Sequence, residues 1–334
     1  MDLSLVIGNF LNPPVLFFFL GIVAVLIKTN LEIPPQIVKF LSIYLLFDIG
    51  FKGGEELHKG GLNSDSIVVM IACILFSFFI PFFVYTILKK KLNPYDAGAV
   101  SASYGSVSAV TFATAISFLE SKKISFGGYM VANMALMESP AVIAGLILIT
   151  KNTKDDGNDE IKSKYVGGFM GVLKESLFNS SVFLLIGSLL IGTLVGKSDH
   201  ESLKPFVSGI FKGMLCLYML DMGIVAANQA KEILKHGFFL IGFALLYPLF
   251  ASFLGIVTSI FLNMSHGDAL LLTVLLASAS YIAVPAAMRF SVPEANMSIL
   301  LSMALGVTFT FNVTIGIPLY NFMYTKLNWW LSKF

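Results

Sequence analysis

Charge is what this sequence has least of. Only 13% of its 334 residues are Asp, Glu, Lys or Arg, about half the share of a soluble domain. Hydrophobic residues make up 56%, and the mean hydropathy is +0.83. No water-soluble fold has enough interior to hide that much apolar surface, so a lipid bilayer must act as the solvent. Arginine is nearly missing: Arg289 is the single one among 22 basic residues. With a net charge of +2 and without the side chain that best reads base edges, nucleic acid is not an expected partner. Cysteine is scarce too. Cys73 and Cys216 both sit in apolar runs, which excludes a disulfide framework and a cysteine metal site and leaves them as small packing residues. The four histidines, His58, His200, His236 and His266, fall in expected loops without the i, i+4 spacing of a helical metal site. No Gly-Lys-Ser/Thr phosphate loop is present, so neither a hydrolase nor a directly ATP-driven pump is expected, and no organic cofactor is implied. Met1-Asp2-Leu3 carries no basic region and no small-residue cleavage site follows the first apolar run, so no cleaved leader is expected.

What the chain has in abundance is apolar runs near the length of about 20 residues that a bilayer crossing requires. Ten can be read: 10–28, 35–51, 66–88, 96–118 and 128–150, then 178–196, 205–226, 237–262, 269–290 and 297–325. Trp329 and Trp330, past the last of them, suit a membrane–water interface. One segment is clearly polar: 151–164, KNTKDDGNDEIKSK. It reads as the core of a solvated linker over 151–176, dividing a first five-helix unit (1–150) from a second (177–334).

The two halves resemble each other. Shifted by 172 residues, Asp96-Ala97 falls on Asp268-Ala269, Ser106 and Ser108 fall on Ser278 and Ser280, and Ala115 falls on Ala287. With one residue of slip, Asp48-Ile49-Gly50 falls on Asp221-Met222-Gly223. An odd number of helices per copy forces the second copy to enter the membrane from the opposite side. The expected fold is therefore all-α and polytopic, ten transmembrane helices in a five-plus-five inverted repeat, an architecture of transporters with a midplane site. Basic residues set its orientation. If the linker is cytoplasmic, 13 of the 22 Lys and Arg lie inside and nine outside, the sign that the positive-inside rule requires. Both termini then face outward across the inner (plasma) membrane.

Helices four and nine are unusual spans. Residues 99–114 and 276–289 put small and hydroxyl side chains at mid-membrane, with Gly105 and Pro285 as reasons for the backbone to leave helical geometry. A broken helix offers unpaired N–H groups and partial positive charge, which suit a small anion. Small residues also serve plain helix packing in membranes, but their register across both copies favours a binding site. Among ionisable residues inside spans, Glu138 is the functional candidate, because a buried carboxylate is costly. Its repeat-mate region holds Asn312. A carboxylate, an amide oxygen and a nearby hydroxyl such as Thr111 are the hard oxygen ligands that sodium prefers. A protonated packing residue or a proton relay is the alternative for Glu138. Asp48 and Asp221 read as solvated residues near helix ends, and Asp96 and Asp268 as N-caps.

The stretch 277–289, ASASYIAVPAAMR, followed by Pro293-Glu294-Ala295-Asn296 and Gly316-Ile317-Pro318-Leu319-Tyr320, resembles the sodium-dependent bicarbonate transporter (SbtA) family. Gly105-Ser-Val-Ser-Ala-Val-Thr111 is similar to that family's substrate segment, and Lys204-Pro205-Phe206 and Phe211-Lys212-Gly213 also match. The resemblance implies sodium-coupled import of bicarbonate, with another small inorganic or organic anion as the alternative cargo. It implies a gate domain of helices 1, 2, 6 and 7 and a core domain of helices 3–5 and 8–10. It further implies a homotrimer, a cytoplasmic PII-like regulatory partner, and bicarbonate held among Ser106, Ser108, Ala109, Ser278, Ser280 and Tyr281. Where the family has Asp in helix five, this chain has Glu138, and its central linker is short.

Overall fold

The computed structural model describes residues 11–153 and 180–331. The expected linker falls outside the described residues from position 154 on. The described residues form helices and connecting turns, with no strand among them. The helices are α1 (Pro13–Leu26), α2 (Pro35–Gly60), α3 (Ser64–Leu88), α4 (Pro94–Gly105), α5 (Ala109–Ser121), α6 (Tyr129–Leu136) and α7 (Glu138–Asn152). After the linker come α8 (Ser180–Leu194), α9 (Lys197–Lys204), α10 (Phe211–Ile233), α11 (Phe238–Phe261), α12 (His266–Ala277), α13 (Ala283–Ser291), α14 (Met297–Leu301) and α15 (Ile317–Leu331). Between α14 and α15 the chain runs as two π-helical segments, Ser302–Phe309 and Asn312–Gly316.

Among the described residues, six helical stretches are long and apolar enough to cross a membrane: Ser64–Leu88, Pro94–Ser121, Tyr129–Asn152, Asp199–Ile233, Phe238–Phe261 and Met297–Trp330. The two extremes differ in kind: Ser64–Leu88 is the most apolar and the least buried, whereas Pro94–Ser121 is the least apolar and the most buried. A helix facing lipid must be apolar all round, while one surrounded by protein can carry serines and threonines that find partners. The α4–α5 pair is therefore the centre of the molecule, wrapped by α3, α7, α12 and α13.

Two further helix pairs lie beside this centre: α1 packs on α10, and α2 on α8. Each pair crosses at glycines. A side chain on Gly21 or Gly223 would strike the other helix's backbone, and the same holds for Gly54 and Gly192.

Helix starts follow local chemistry. Asn63 and Ser66 form a reciprocal capping box at α3, and Asn93 accepts from the Asp96 N–H, with Pro94 in the first turn of α4. Ser265 does the same for Asp268 at α12. Asp96 and Asp268 are thus not the caps themselves. They sit one turn in, and each carboxylate reaches a distant loop: Asp96 Oδ1 accepts from Asn296 N at 2.7 Å, and Asp268 Oδ1 from Gly127 N at 2.6 Å. Asp48 and Asp221 also differ from expectation. Both are buried in mid-helix, and Asp48 lies 3.2 Å from Lys52 Nζ. That pairing one helical turn away makes burial of the carboxylate tolerable. His58 and His266 belong to helix ends and His200 to the middle of α9, rather than to loops; His58 Nδ1 contacts Thr193 O and His200 Nε2 contacts Gly192 O. Trp329 and Trp330 are exposed at the end of α15.

Candidate ion-binding site at two helix breaks

Two breaks face each other at the molecular centre. α4 stops at Gly105 and α5 begins at Ala109; α12 stops at Ala277 and α13 begins at Ala283. Glycine at 105 lets α3 come close, because an added Cβ would collide with the Pro81 ring. Pro285 does not cause the second break. It stands in the first turn of α13, where its missing N–H costs no hydrogen bond.

The breaks are bonded to one another. Ser280 N donates to Ser103 O at 2.8 Å, Ser103 Oγ donates to Ser280 O at 2.6 Å, and Ser108 N donates to Ser278 Oγ at 3.0 Å. α5 packs against α12 and α13 against α4, so the two broken helices cross. Their cut carbonyls have dedicated partners. The Tyr247 hydroxyl lies 2.7 Å from Tyr104 O and 3.1 Å from Leu276 O, and Asn312 Nδ2 donates to Ala277 O at 2.8 Å.

On the other side of the crossing the helix starts open onto a cavity. Its walls include Ser108, Ala109, Val110, Ser280, Tyr281, Ile282 and Ala283 from the breaks, Glu138 from α7, Ser42 and Ile49 from α2, Ser181 from α8 and Tyr218 from α10. About 30 Å³ of it is open, a space on the scale of one small polyatomic ion or a very few waters. Ser108 Oγ caps α5, accepting from Thr111 N at 3.2 Å and from Thr111 Oγ1 at 2.8 Å. Ser280 Oγ accepts from Val284 N at 3.2 Å, reaching the first turn of α13 from two residues ahead of its N-cap, Ile282. The first-turn N–H groups next to these serines have no partner within their own helices. The Tyr281 hydroxyl is buried in the same wall beside the Ser108 hydroxyl, without a well-formed hydrogen bond to it, and Ser106 Oγ is buried and unbonded. The arrangement offers hydroxyl and amide donors and two positive helix ends to an anion, with one carboxylate beside them.

Of the residues singled out from sequence, Ser108, Ala109, Ser280, Tyr281 and Glu138 line this cavity. Ser106 and Ser278 lie in the breaks behind it. Thr111 is fully buried one turn into α5, bonded to Ser108. Asn312 is set further back: its Oδ1 accepts from Tyr320 OH at 2.6 Å while its amide nitrogen holds Ala277 O. Glu138 opens α7, because the helix of the fifth span is cut at Met137. Ser139-Pro140 is the sequence signal for that cut. Ser42, Ser181 and Tyr218 carry no motif of their own and were not legible as site residues. Among the described residues no group of three His, Cys, Asp or Glu could hold a metal ion.

The chain matches the family model of the Na+-dependent bicarbonate transporter superfamily over residues 13–325. No curated protein matches it.

Proposed function

This chain belongs to the Na+-dependent bicarbonate transporter superfamily, and from that membership we propose that it imports bicarbonate together with Na+ by alternating access. It is a multi-pass membrane transporter and not an enzyme. The observation that carries the proposal is the buried Tyr281 hydroxyl, which lies beside Ser108 without a well-formed hydrogen bond, in a cavity it shares with Ser108, Ser280 and Glu138. An unbonded buried hydroxyl costs free energy, and an oxygen-rich anion seated between the α5 and α13 starts would relieve that cost.

Energetics argue for coupling. Bicarbonate entering an interior-negative cell moves against about 2.3 kcal/mol per 100 mV. One Na+ carried with it cancels the charge and adds the sodium gradient. We assign the sodium site to Thr111, Glu138 and Asn312, with Glu138 as its charged ligand facing the cavity. A cation beside this carboxylate makes the site more attractive to the anion.

The proposal includes ten spans in an inverted repeat. Two symmetric features support it: the glycine-crossed pairs α1–α10 and α2–α8, and the matching long-range bonds from Asp96 and Asp268. We read helices one, two, six and seven as the gate and the rest as the core. A cytoplasmic linker, outward-facing termini, a homotrimer and a PII-like regulator complete the reading.

The test is uptake of labelled bicarbonate by proteoliposomes with and without an inward sodium gradient. Wild-type protein should accumulate label only with the gradient. Glu138→Gln should shift half-maximal uptake to higher sodium, by about tenfold for each 1.4 kcal/mol lost. Gradient-independent uptake, or an unchanged sodium curve in the variant, would overturn the coupling or the assignment of Glu138 respectively.

A further inference from the structure

A second concavity lies away from the ion site, between α3 and α11. It is about 470 Å³ in volume and lined by Phe83, Ile87, Phe238, Gly242, Leu246 and Phe250, with Phe243 and Tyr247 as its floor. The size is that of a small-molecule site, yet the walls are almost wholly apolar. The two helices bounding it touch through the stacked rings of Phe83 and Phe250, 5.0 Å apart. Elsewhere they part over Tyr104, onto which Phe243 and Tyr247 fold edge-to-face at 5.3 and 4.7 Å. Phe238 and Leu246 are mostly exposed. On a membrane helix that exposure is to lipid.

One end of the groove is strongly basic. α3 ends one residue past Ile87, and Lys89, Lys90 and Lys91 follow at once. All three are exposed, and none makes an ion pair among the described residues. α11 enters the same end of the groove at Phe238, preceded by Lys231 and Lys235, of which Lys235 is paired with Glu232 at 2.7 Å. An apolar trough that ends in a row of unpaired lysines at the membrane face has the chemistry of an anionic phospholipid. Acyl carbon fills the trough, and the phosphate meets the ammonium groups. A neutral lipid would satisfy the trough alone, and a soluble anion the lysines alone.

We propose that the groove between α3 and α11 binds an anionic phospholipid, its acyl chain on Phe243 and Tyr247 and its phosphate at Lys89, Lys90 and Lys91. The site touches function through its floor, because the Tyr247 hydroxyl bridges the carbonyls of both broken helices. Lipid packed on that ring therefore steadies the break, and binding should register as added thermal stability. Gly242 supplies a probe: a Cβ there meets nothing within 4 Å, so a side chain can enter the groove from that position.

The experiment uses the full chain in detergent, titrated with phosphatidylglycerol or phosphatidylcholine of identical acyl chains, and read by native mass spectrometry and thermal melting. Phosphatidylglycerol should be retained roughly tenfold more strongly and should raise the melting temperature of the wild type. The triple variant Lys89→Gln, Lys90→Gln, Lys91→Gln should lose that preference while still binding both lipids. Gly242→Leu should lose retention of both. Equal retention of the two lipids by the wild type would overturn the proposal, as would a preference that survives the triple variant. Should Gly242→Leu fail to fold, the lysine variants decide alone. A Gly242→Leu chain that keeps its lipid but changes oligomeric state would assign the groove to a second copy of the chain, and the proposal would fall.

Discussion

Tyr281 isolates binding from folding more cleanly than any serine in the site. Ser108 caps α5 and Ser280 accepts from Val284 N in the first turn of α13, so replacing either with alanine removes a helix-start hydrogen bond, worth about 1 kcal/mol for a cap, along with any contact to an anion. The Tyr281 hydroxyl makes no well-formed hydrogen bond to lose, only a neighbour in Ser108, and its ring keeps an edge contact with Phe309 at 5.3 Å. Tyr281→Phe should therefore melt at or above the wild-type temperature, since an unsatisfied buried hydroxyl is removed. If that hydroxyl donates to bicarbonate, the lost bond is worth about 1.5–3 kcal/mol, and the substrate concentration for half-maximal uptake should rise roughly ten- to a hundredfold. Wild-type uptake kinetics with the same melting behaviour would remove Tyr281 from the site. At this scale the sequence was informative where chemistry repeats. Ser108 and Ser280 were legible because each has a mate in the other half. Ser42 and Tyr218 were not, because only the tertiary fold brings α2 and α10 to the cavity.

The broken helices α4–α5 and α12–α13 stay broken because their cut ends are satisfied by neighbours. Tyr247 on α11 serves both at once, reaching Tyr104 O and Leu276 O. Tyr247→Phe keeps the ring against Tyr104 but leaves buried carbonyls short of a donor, at a cost of about 1–3 kcal/mol. The variant should melt lower, and uptake should fall by more than in a surface variant of equal stability. An unchanged melting temperature would mean that the hydroxyl bridges nothing essential. The breaks at 106–108 and 278–282 could be anticipated, since runs of serine and alanine at mid-membrane are poor lipid-facing helix. The cut at Met137 carried only the weaker Ser139-Pro140 signal. The π-helical runs before α15 left no trace in composition, because an extra residue per turn changes register and not hydropathy. Their register brings Ser302 Oγ to Gln229 Oε1 at 2.9 Å and Thr308 Oγ1 to Ala244 O at 2.8 Å.

At the scale of the whole molecule, the proposal of two copies rests on paired polar residues that interrupt apolar monotony. Asp96 and Asp268 make the case: each sits in the first turn of a broken helix, and each holds the main chain just ahead of the last span of a half. Apolar positions gave little help, since one lipid-facing helix resembles another. The topology that follows from an odd number of spans per copy has a sharp consequence at the broken helices. Pro94–Ser121 is 28 residues long, about 40 Å at 1.5 Å per residue, enough for one crossing of a hydrocarbon core of about 30 Å. If the break at 106–108 lies within a single crossing, Lys90 and Lys122 are on opposite faces. If instead α4 and α5 formed a re-entrant hairpin, both would be on one face. The native background suits a labelling test, because Cys73 and Cys216 are both buried, while Lys90 and Lys122 are exposed. An impermeant thiol reagent added outside intact cells should label Lys122→Cys and leave Lys90→Cys untouched until the membrane is opened. Labelling of both from outside would make the segment re-entrant, and labelling of Lys90→Cys alone would invert the orientation drawn from the basic residues.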